Sequence, residues 1–332
     1  MKNYQKILTG LVSAGLAGWA YANVVEKRSL SSWTIERLLG LREVKKSLSK
    51  QSEEDFQKTL ARFSEISDKS VNNPSKLVGM PVSENNIDGV QVFEWNNHND
   101  PKQAVLFYLH GGAYINQPTP LHYRFVAKIS KSLDARVVFP IYPKLPHHTF
   151  SETYSIVDKL YRQMLTSVDH PQQITIMGDS AGGGLALGFA MYARDHQLPQ
   201  PKDIVLLSPW LDIATENPDI AAYQDKDPIL GAWGLNQLGK MWSEGDSKEI
   251  IQNPYVSPLH GELQELGKIS IFVGTHEIFY PDNEKLHHLL IKEKIDHHYI
   301  VADKMNHVYT IYPTPEAKQA QKQILEIIEE NR

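Results

Sequence analysis

The sequence predicts an α/β protein: a mostly parallel central sheet with helices on both faces and a helical cap. Three observations carry that expectation. From about residue 87 onward, short apolar stretches of strand length alternate with stretches of helical length. The strand-like stretches are apolar with little polar alternation, as in VLFYL (105–109) and IVLL (204–207), which suits a sheet covered on both sides. One section, 212–255, breaks the pattern with scattered Pro, Gly and Trp and reads as an insertion of short helices above the sheet.

Bulk composition narrows the class. The 332 residues are 41% hydrophobic and 22% charged, enough for one large α/β domain with a cap or for two small domains. A net charge of −5 gives no drive toward nucleic acid, and there is no zinc-ligand spacing or basic tract with interleaved aromatics. No nucleic acid partner and no metal are expected. Cysteine is absent, so disulfides and cysteine-ligated metals are excluded, and the chain suits either side of a membrane.

Taken in order, residues 1–25 are expected to be a signal peptide or membrane anchor. MKNYQK is a short basic start, and Ile7 to Val25 carries no charge. The run ends on Ala20-Tyr21-Ala22, a small-x-small cleavage pattern, while its length also suits an uncleaved span. Export or anchoring is the expected location, with membrane association through the N-terminus; a buried or surface helix preceding the domain, in a cytoplasmic protein, is the alternative. Residues 26–76 read as an N-terminal helical cap segment. Leu38, Leu41, Val44 and Leu48, then Phe56, Leu60 and Phe63, recur at spacings of three and four. Between 26 and 50, seven Lys/Arg stand against three Glu, so this stretch suits an anionic membrane surface as well. Packing over the following domain is the preferred reading.

The main domain is assigned to 77–332. Its strands are read at 89–95, 103–112, 135–142, 174–178, 203–210, 269–275 and 297–303. Helices are read through 124–133 and 152–165, from Ala181 onward, and at 315–330.

Chemistry concentrates in ITIMGDSAGGGLALGFA (174–190), where a strand meets a helix through Gly178-Asp179-Ser180-Ala181-Gly182. Small residues on both sides allow a tight, strained turn that exposes Ser180 as a nucleophile at a helix N-terminus. A five-residue pattern with two free positions is weak alone, and its plain alternative is a glycine-rich junction packed for close approach. Upstream, the strand VLFYL runs into His110-Gly111-Gly112-Ala113-Tyr114. Small residues there leave backbone N–H groups open to a developing oxyanion, each worth about 2.7–4 kcal/mol in a transition state.

Together with SPWLD (208–212), NPYVSPL (253–259) and MNHVY (305–309), these stretches resemble the hormone-sensitive-lipase-like carboxylesterases and lipases of the α/β-hydrolase superfamily, over about 87–325. The resemblance implies an α/β-hydrolase fold and a serine carboxylesterase without cofactor, acting on short- to medium-chain esters. It implies an oxyanion hole from the N–H groups of Gly112, Ala113 and Ala181, with Gly111 shaping the loop and His110 structural.

Serine needs a base near neutral pH, and imidazole suits that work. Fourteen histidines make residue type uninformative. His307 follows a late strand and precedes the terminal helix, the place expected in the order Ser, acid, His; the resemblance points to it too. The acid should follow the strand ISIFVGT, which leaves Glu277 and Asp282, with Glu277 preferred as nearer the strand end. The family usually has Asp near this position, so Glu277 departs from its pattern. Tyr114, Trp210, Trp233 and Trp242 are candidate linings of an apolar substrate pocket, with plain core as the alternative. A serine peptidase or amidase on the same fold, and a non-catalytic ligand-binding homologue, stay open as other functions.

Overall fold

Period-two burial explains the layering. Along Val105–Leu109, residues Val105, Phe107 and Leu109 enter one apolar cluster while Leu106 and Tyr108 enter another. Every residue of this strand is buried, so neither face meets water. The computed structural model describes residues 18–41, 44–67 and 69–330.

Eight strands form one sheet: β1 (Val82–Ile87), β2 (Val90–Trp95), β3 (Val105–Leu109), β4 (Arg136–Pro140), β5 (Ile174–Asp179), β6 (Asp203–Leu207), β7 (Lys268–His276) and β8 (His297–Asn306). Their spatial order is β1-β2-β4-β3-β5-β6-β7-β8. The β1–β2 and β2–β4 pairs are antiparallel and all others parallel. The mostly parallel sheet is therefore as the sequence implies. Strand β1 is an addition: its sequence, VSENNI, is polar and its central residues are exposed at the sheet edge, so hydrophobic pattern gives no sign of it.

Helices cover both faces. Eight are labelled here: α1 (Leu30–Gly40), α2 (Glu53–Ser67), α3 (Pro120–Leu133), α4 (Phe150–Ser167), α5 (Ala181–Asp195), α6 (Ala232–Trp242), α7 (Tyr280–Lys292) and α8 (Pro315–Glu329). Residues of α4, α5 and α7 pack on the Val105/Phe107/Leu109 side, and residues of α3 and α8 on the other. Thr149 and Glu152 form a capping box that starts α4, and Pro315 after Thr314 starts α8.

Residues 212–255 hold α6 and two short helical turns, Pro218–Ala222 and Lys248–Ile251, and no strand. Phe56 of α2 packs edge-on against Trp233, and the Leu48 carbonyl accepts the Gly234 N–H at 2.8 Å, so the N-terminal segment and this region pack together. The leader expectation falls mostly on residues outside those described. Of its remainder, Tyr21–Val25 makes one helical turn with Ala22 buried. Among the described residues, no helix is long and apolar enough to cross a membrane.

Candidate active site

Strand ends on one side of the sheet deliver the site. Ser180 is the first residue after β5 and adopts φ 53°, ψ −123°, a region that L-residues rarely occupy. Tight packing maintains it: a side chain at Gly178 would collide with the Gly182 carbonyl, and one at Gly182 with the Leu109 carbonyl. The serine therefore sits on a turn held from both sides, at the N-terminus of α5.

His307 follows β8, and its Nε2 lies 2.9 Å from Ser180 Oγ. Glu277 follows β7, and its Oε2 lies 2.6 Å from His307 Nδ1. The other carboxylate oxygen of Glu277 accepts the Ser208 hydroxyl at 2.7 Å and the Gly274 N–H at 2.8 Å. The Ser208 hydroxyl oxygen also accepts the N–H of Val308, so one side chain ties the Glu277 loop to the His307 loop. Burial disfavours the charged imidazole most strongly. The Glu277 carboxylate, with Asp227 and Asp179 beyond it, outweighs that and holds His307 above its ordinary pKa.

Asp282 lies elsewhere. It is in the first turn of α7, buried, with one oxygen accepting Asn217 Nδ2 at 2.8 Å and the other without a partner among the described residues. It lines a separate cavity of about 830 Å³ that excludes Ser180 and His307. Burial pushes its pKa up to about 6. The structure brings Glu277, and not Asp282, to His307.

The loop after β3 faces the serine. Gly112, Ala113 and Tyr114 all have positive φ (127°, 53° and 57°). Among the described residues, no hydrogen bond takes the N–H of Gly112, Ala113 or Ala181. Gly111 differs: its N–H donates to Asp179 Oδ1 at 2.9 Å, so it shapes the loop and offers no free donor. His110 is fully buried, donates from Nδ1 to the Gly111 carbonyl at 2.7 Å, and stacks on Tyr142 at 4.5 Å. Burial holds it well below the ordinary imidazole pKa, as a neutral ring. Tyr142 donates to the His110 carbonyl, fixing the start of the loop from behind.

Beside Ser208, three more residues that the sequence reading did not place in the site complete its surroundings: Asp179, His122 and Asp227. Asp179 accepts from Tyr108 Oη (2.7 Å), Gly111 N–H and His122 Nε2 (3.1 Å). His122 Nδ1 accepts the Thr119 N–H, so its Nε2 carries the proton it gives to Asp179. Asp227 accepts the N–H groups of Ile229, Leu230 and Ile278, which fastens the 212–255 region to the Glu277 loop. Burial raises Asp227 to about 6. Ser208 and Asp179 sit inside quoted motifs, whereas His122 and Asp227 carry no local signal.

A cleft of about 660 Å³ opens at Ser180 and His307. Its walls are mostly apolar: Ile35, Leu38 and Leu39 from α1, Leu230 from the 212–255 region, and Val308 and Ile311 beyond the base. None of the four aromatics considered as pocket residues lines it. Tyr114 is stacked between Trp242 (3.9 Å) and Trp210 (5.7 Å), all three fully buried, and Trp233 packs edge-on against Phe56. Tyr114, Trp210 and Trp242 are core, and Trp233 is a half-buried residue packed against it. Among the described residues, no cluster of three or more His, Asp or Glu is placed to hold a metal ion.

The family described as alpha/beta hydrolase fold matches residues 106–311, more than half of the chain. The protein belongs to the α/β-hydrolase fold family. An acetyl-hydrolase of Streptomyces hygroscopicus is 27% identical over 215 residues, spanning 65% of this chain and 71% of that one. A solved structure from Staphylococcus aureus, assigned as an esterase, superposes with a TM-score of 0.79 at 31% identity, covering 85% of this chain and 96% of the other. A solved esterase of the bacterial hormone-sensitive lipase family shares the fold, with a TM-score of 0.69 at 24% identity over 85% and 99% of the two chains. The kin of this α/β-hydrolase are thus esterases, lipases and acetyl-hydrolases, in line with the resemblance carried by its motifs.

Proposed function

We propose that the protein is a serine carboxylesterase that hydrolyses short- to medium-chain esters through Ser180, His307 and Glu277. The observation that carries this reading is the continuous contact from Ser180 Oγ to His307 Nε2 (2.9 Å) and from His307 Nδ1 to Glu277 Oε2 (2.6 Å). Esterase and acetyl-hydrolase relatives support the same bond class.

In the proposed sequence, His307 takes the proton of Ser180 as its oxygen attacks the ester carbonyl. Glu277 holds the imidazole in the tautomer that presents a bare Nε2 and stabilises the cation that forms. The carbonyl oxygen becomes an oxyanion held by the N–H groups of Gly112, Ala113 and Ala181. Collapse expels the alkoxide, which leaves with the His307 proton, and an acyl-serine remains. Water, deprotonated by His307, then attacks that acyl group and releases the acid. The apolar walls from α1 and Leu230 suit an acyl or alkyl chain, and a cleft of about 660 Å³ suits a small to medium ester.

The experiment is covalent trapping. A p-nitrophenyl phosphonate should add one phosphonyl group per chain, located on Ser180 by peptide mass mapping, and release one equivalent of p-nitrophenol. Labelling at another residue, or none, would remove Ser180 from the reading.

A further inference from the structure

The N-terminal segment meets the ends of β7 and β8 beside an irregularity in their pairing. The β7–β8 ladder runs in register up to Gly274 opposite Ala302, then resumes with His276 opposite Asn306. One residue on β7 thus faces three on β8, and Lys304 takes a positive φ of 55° in the bulge. Glu277 follows this irregularity on one strand and His307 on the other. Pairing resumes only at His276 and Asn306, directly before Glu277 and His307, so a single pair beyond the bulge holds the two strand ends together.

Arg28 and Glu36 brace the bulged stretch from outside the sheet. The Arg28 guanidinium is buried, meets the Glu36 carboxylate, and donates from the same nitrogen to the Lys304 carbonyl at 2.6 Å. Its other terminal nitrogen lies 3.1 Å from Glu26. Glu36 in turn accepts from His276 Nδ1, at 3.2 and 3.3 Å to its two oxygens. His276 is the residue before Glu277, and Lys304 lies three residues before His307. Thr275 Oγ1 accepts the Lys304 N–H at 2.7 Å, closing the bulge from within the sheet.

We propose that Arg28 and Glu36 are positioning residues for the triad, bridging the β7 and β8 ends so that Glu277 and His307 keep their spacing. Glu36 lies on α1, which also presents Ile35, Leu38 and Leu39 to the cleft, so this wall of the cleft and the contact to His276 share one helix. The kinetic part of this proposal rests on the esterase reading; the geometric part does not. Buried, charge-assisted contacts of a planar guanidinium suit such a bridge better than a flexible ammonium does. The segment has a separate anchor, since Ser29 and Ser32 both bond Glu316 at the start of α8 (2.5–2.8 Å). Loss of the Arg28 bridge therefore leaves α1 attached.

The test measures turnover of p-nitrophenyl acetate per active site, with sites counted by stoichiometric phosphonate release. Arg28→Met should lower kcat about tenfold with little change in KM, since displacement of a catalytic group by a fraction of an ångström costs rate rather than binding. Arg28→Lys, which keeps the charge but not the fork, should recover only part of that loss, and Glu36→Gln, nearly isosteric, should show a smaller loss of the same kind. Lys58→Met, which removes an exposed ion pair on α2, should match the wild type. Folded Arg28→Met and Glu36→Gln both within twofold of wild-type kcat would overturn the proposal. A second readout needs no turnover: the short His307–Glu277 contact should give a low-field proton resonance, absent in His307→Ala. That resonance should shift or broaden in Arg28→Met. An unchanged resonance would overturn the proposal even if no ester is hydrolysed, whereas an inert wild type with a shifted resonance would support it while removing the esterase reading.

Discussion

Asp179 Oδ1 accepts the backbone N–H of Gly111 at 2.9 Å, so the residue before Ser180 also anchors the loop that faces it. The same carboxylate meets His122, whose Nε2 is obliged to donate because its Nδ1 already accepts from Thr119. Burial works against this charge most strongly, yet His122, Tyr108 and the Gly111 N–H hold its pKa below the ordinary value.

Asp179→Asn would set an amide donor against the His122 donor, or turn it onto Tyr108 and Gly111. The expected result is a loss of about 1–3 kcal/mol in stability and a fall in kcat larger than any rise in KM. Chemical denaturation and steady-state kinetics on one ester measure both. Unchanged kcat in the folded variant would show that the loop does not depend on this bond.

The pH profile follows from His307. Its pKa is raised above 6.5, and only the neutral imidazole can accept the serine proton. Activity should be low in acid and rise through a midpoint above 6.5. Glu277→Gln removes the carboxylate that favours the protonated ring, so its midpoint should move down while kcat falls by about 10³–10⁴. A profile with the same midpoint in both proteins would separate the titration from this pair.

Asp282 offers the opposite behaviour. Its folded pKa of about 6 lies above the ordinary value of 3.8, so the folded state holds that proton more tightly than the unfolded chain. This group's contribution to stability is therefore favourable in acid and is lost as pH rises from about 4 to 6. Asp282→Asn keeps an acceptor for Asn217 and removes the buried charge. It should melt higher than the wild type at pH 8, show no such gain at pH 4, and keep kcat within a few-fold. A loss of activity matching that of Glu277→Gln would reverse the assignment of the acid.

Chain-length preference should follow the cleft wall and not the aromatic stack. Leu230→Trp narrows the cleft beside Ser180 and should lower kcat/KM for octanoate far more than for acetate. Trp242→Ala removes a ring stacked 3.9 Å from Tyr114 and should cost about 3–5 kcal/mol of stability. A p-nitrophenyl ester series and a melting curve on each variant distinguish the two effects.

These contrasts also mark what the sequence could convey. Apolar runs such as Val105–Leu109 spell out buried strands, and the glycines around Ser180 and after His110 announce tight turns, because both are local constraints. Strand β1 was hidden since an edge strand with polar side chains has no hydrophobic pattern to read. Tyr114, Trp210 and Trp242 read equally as pocket or core, since stacking partners from β3, β6 and α6 regions meet only in three dimensions. Asp227, His122, Arg28 and Glu36 act through partners up to 276 residues away, and single positions carry no trace of such pairing. Glu277 was reachable because it is the first carboxylate after a recognisable strand.

The most direct test is hydrolysis of p-nitrophenyl esters from acetate to decanoate by the wild type beside Ser180→Ala, His307→Ala, Glu277→Ala and Asp282→Ala. Turnover by the wild type and by Asp282→Ala, with kcat/KM reduced at least about 10³-fold in the other three, is the predicted result. A folded wild type that hydrolyses none of the series, or a Ser180→Ala protein as active as its parent, would contradict the account.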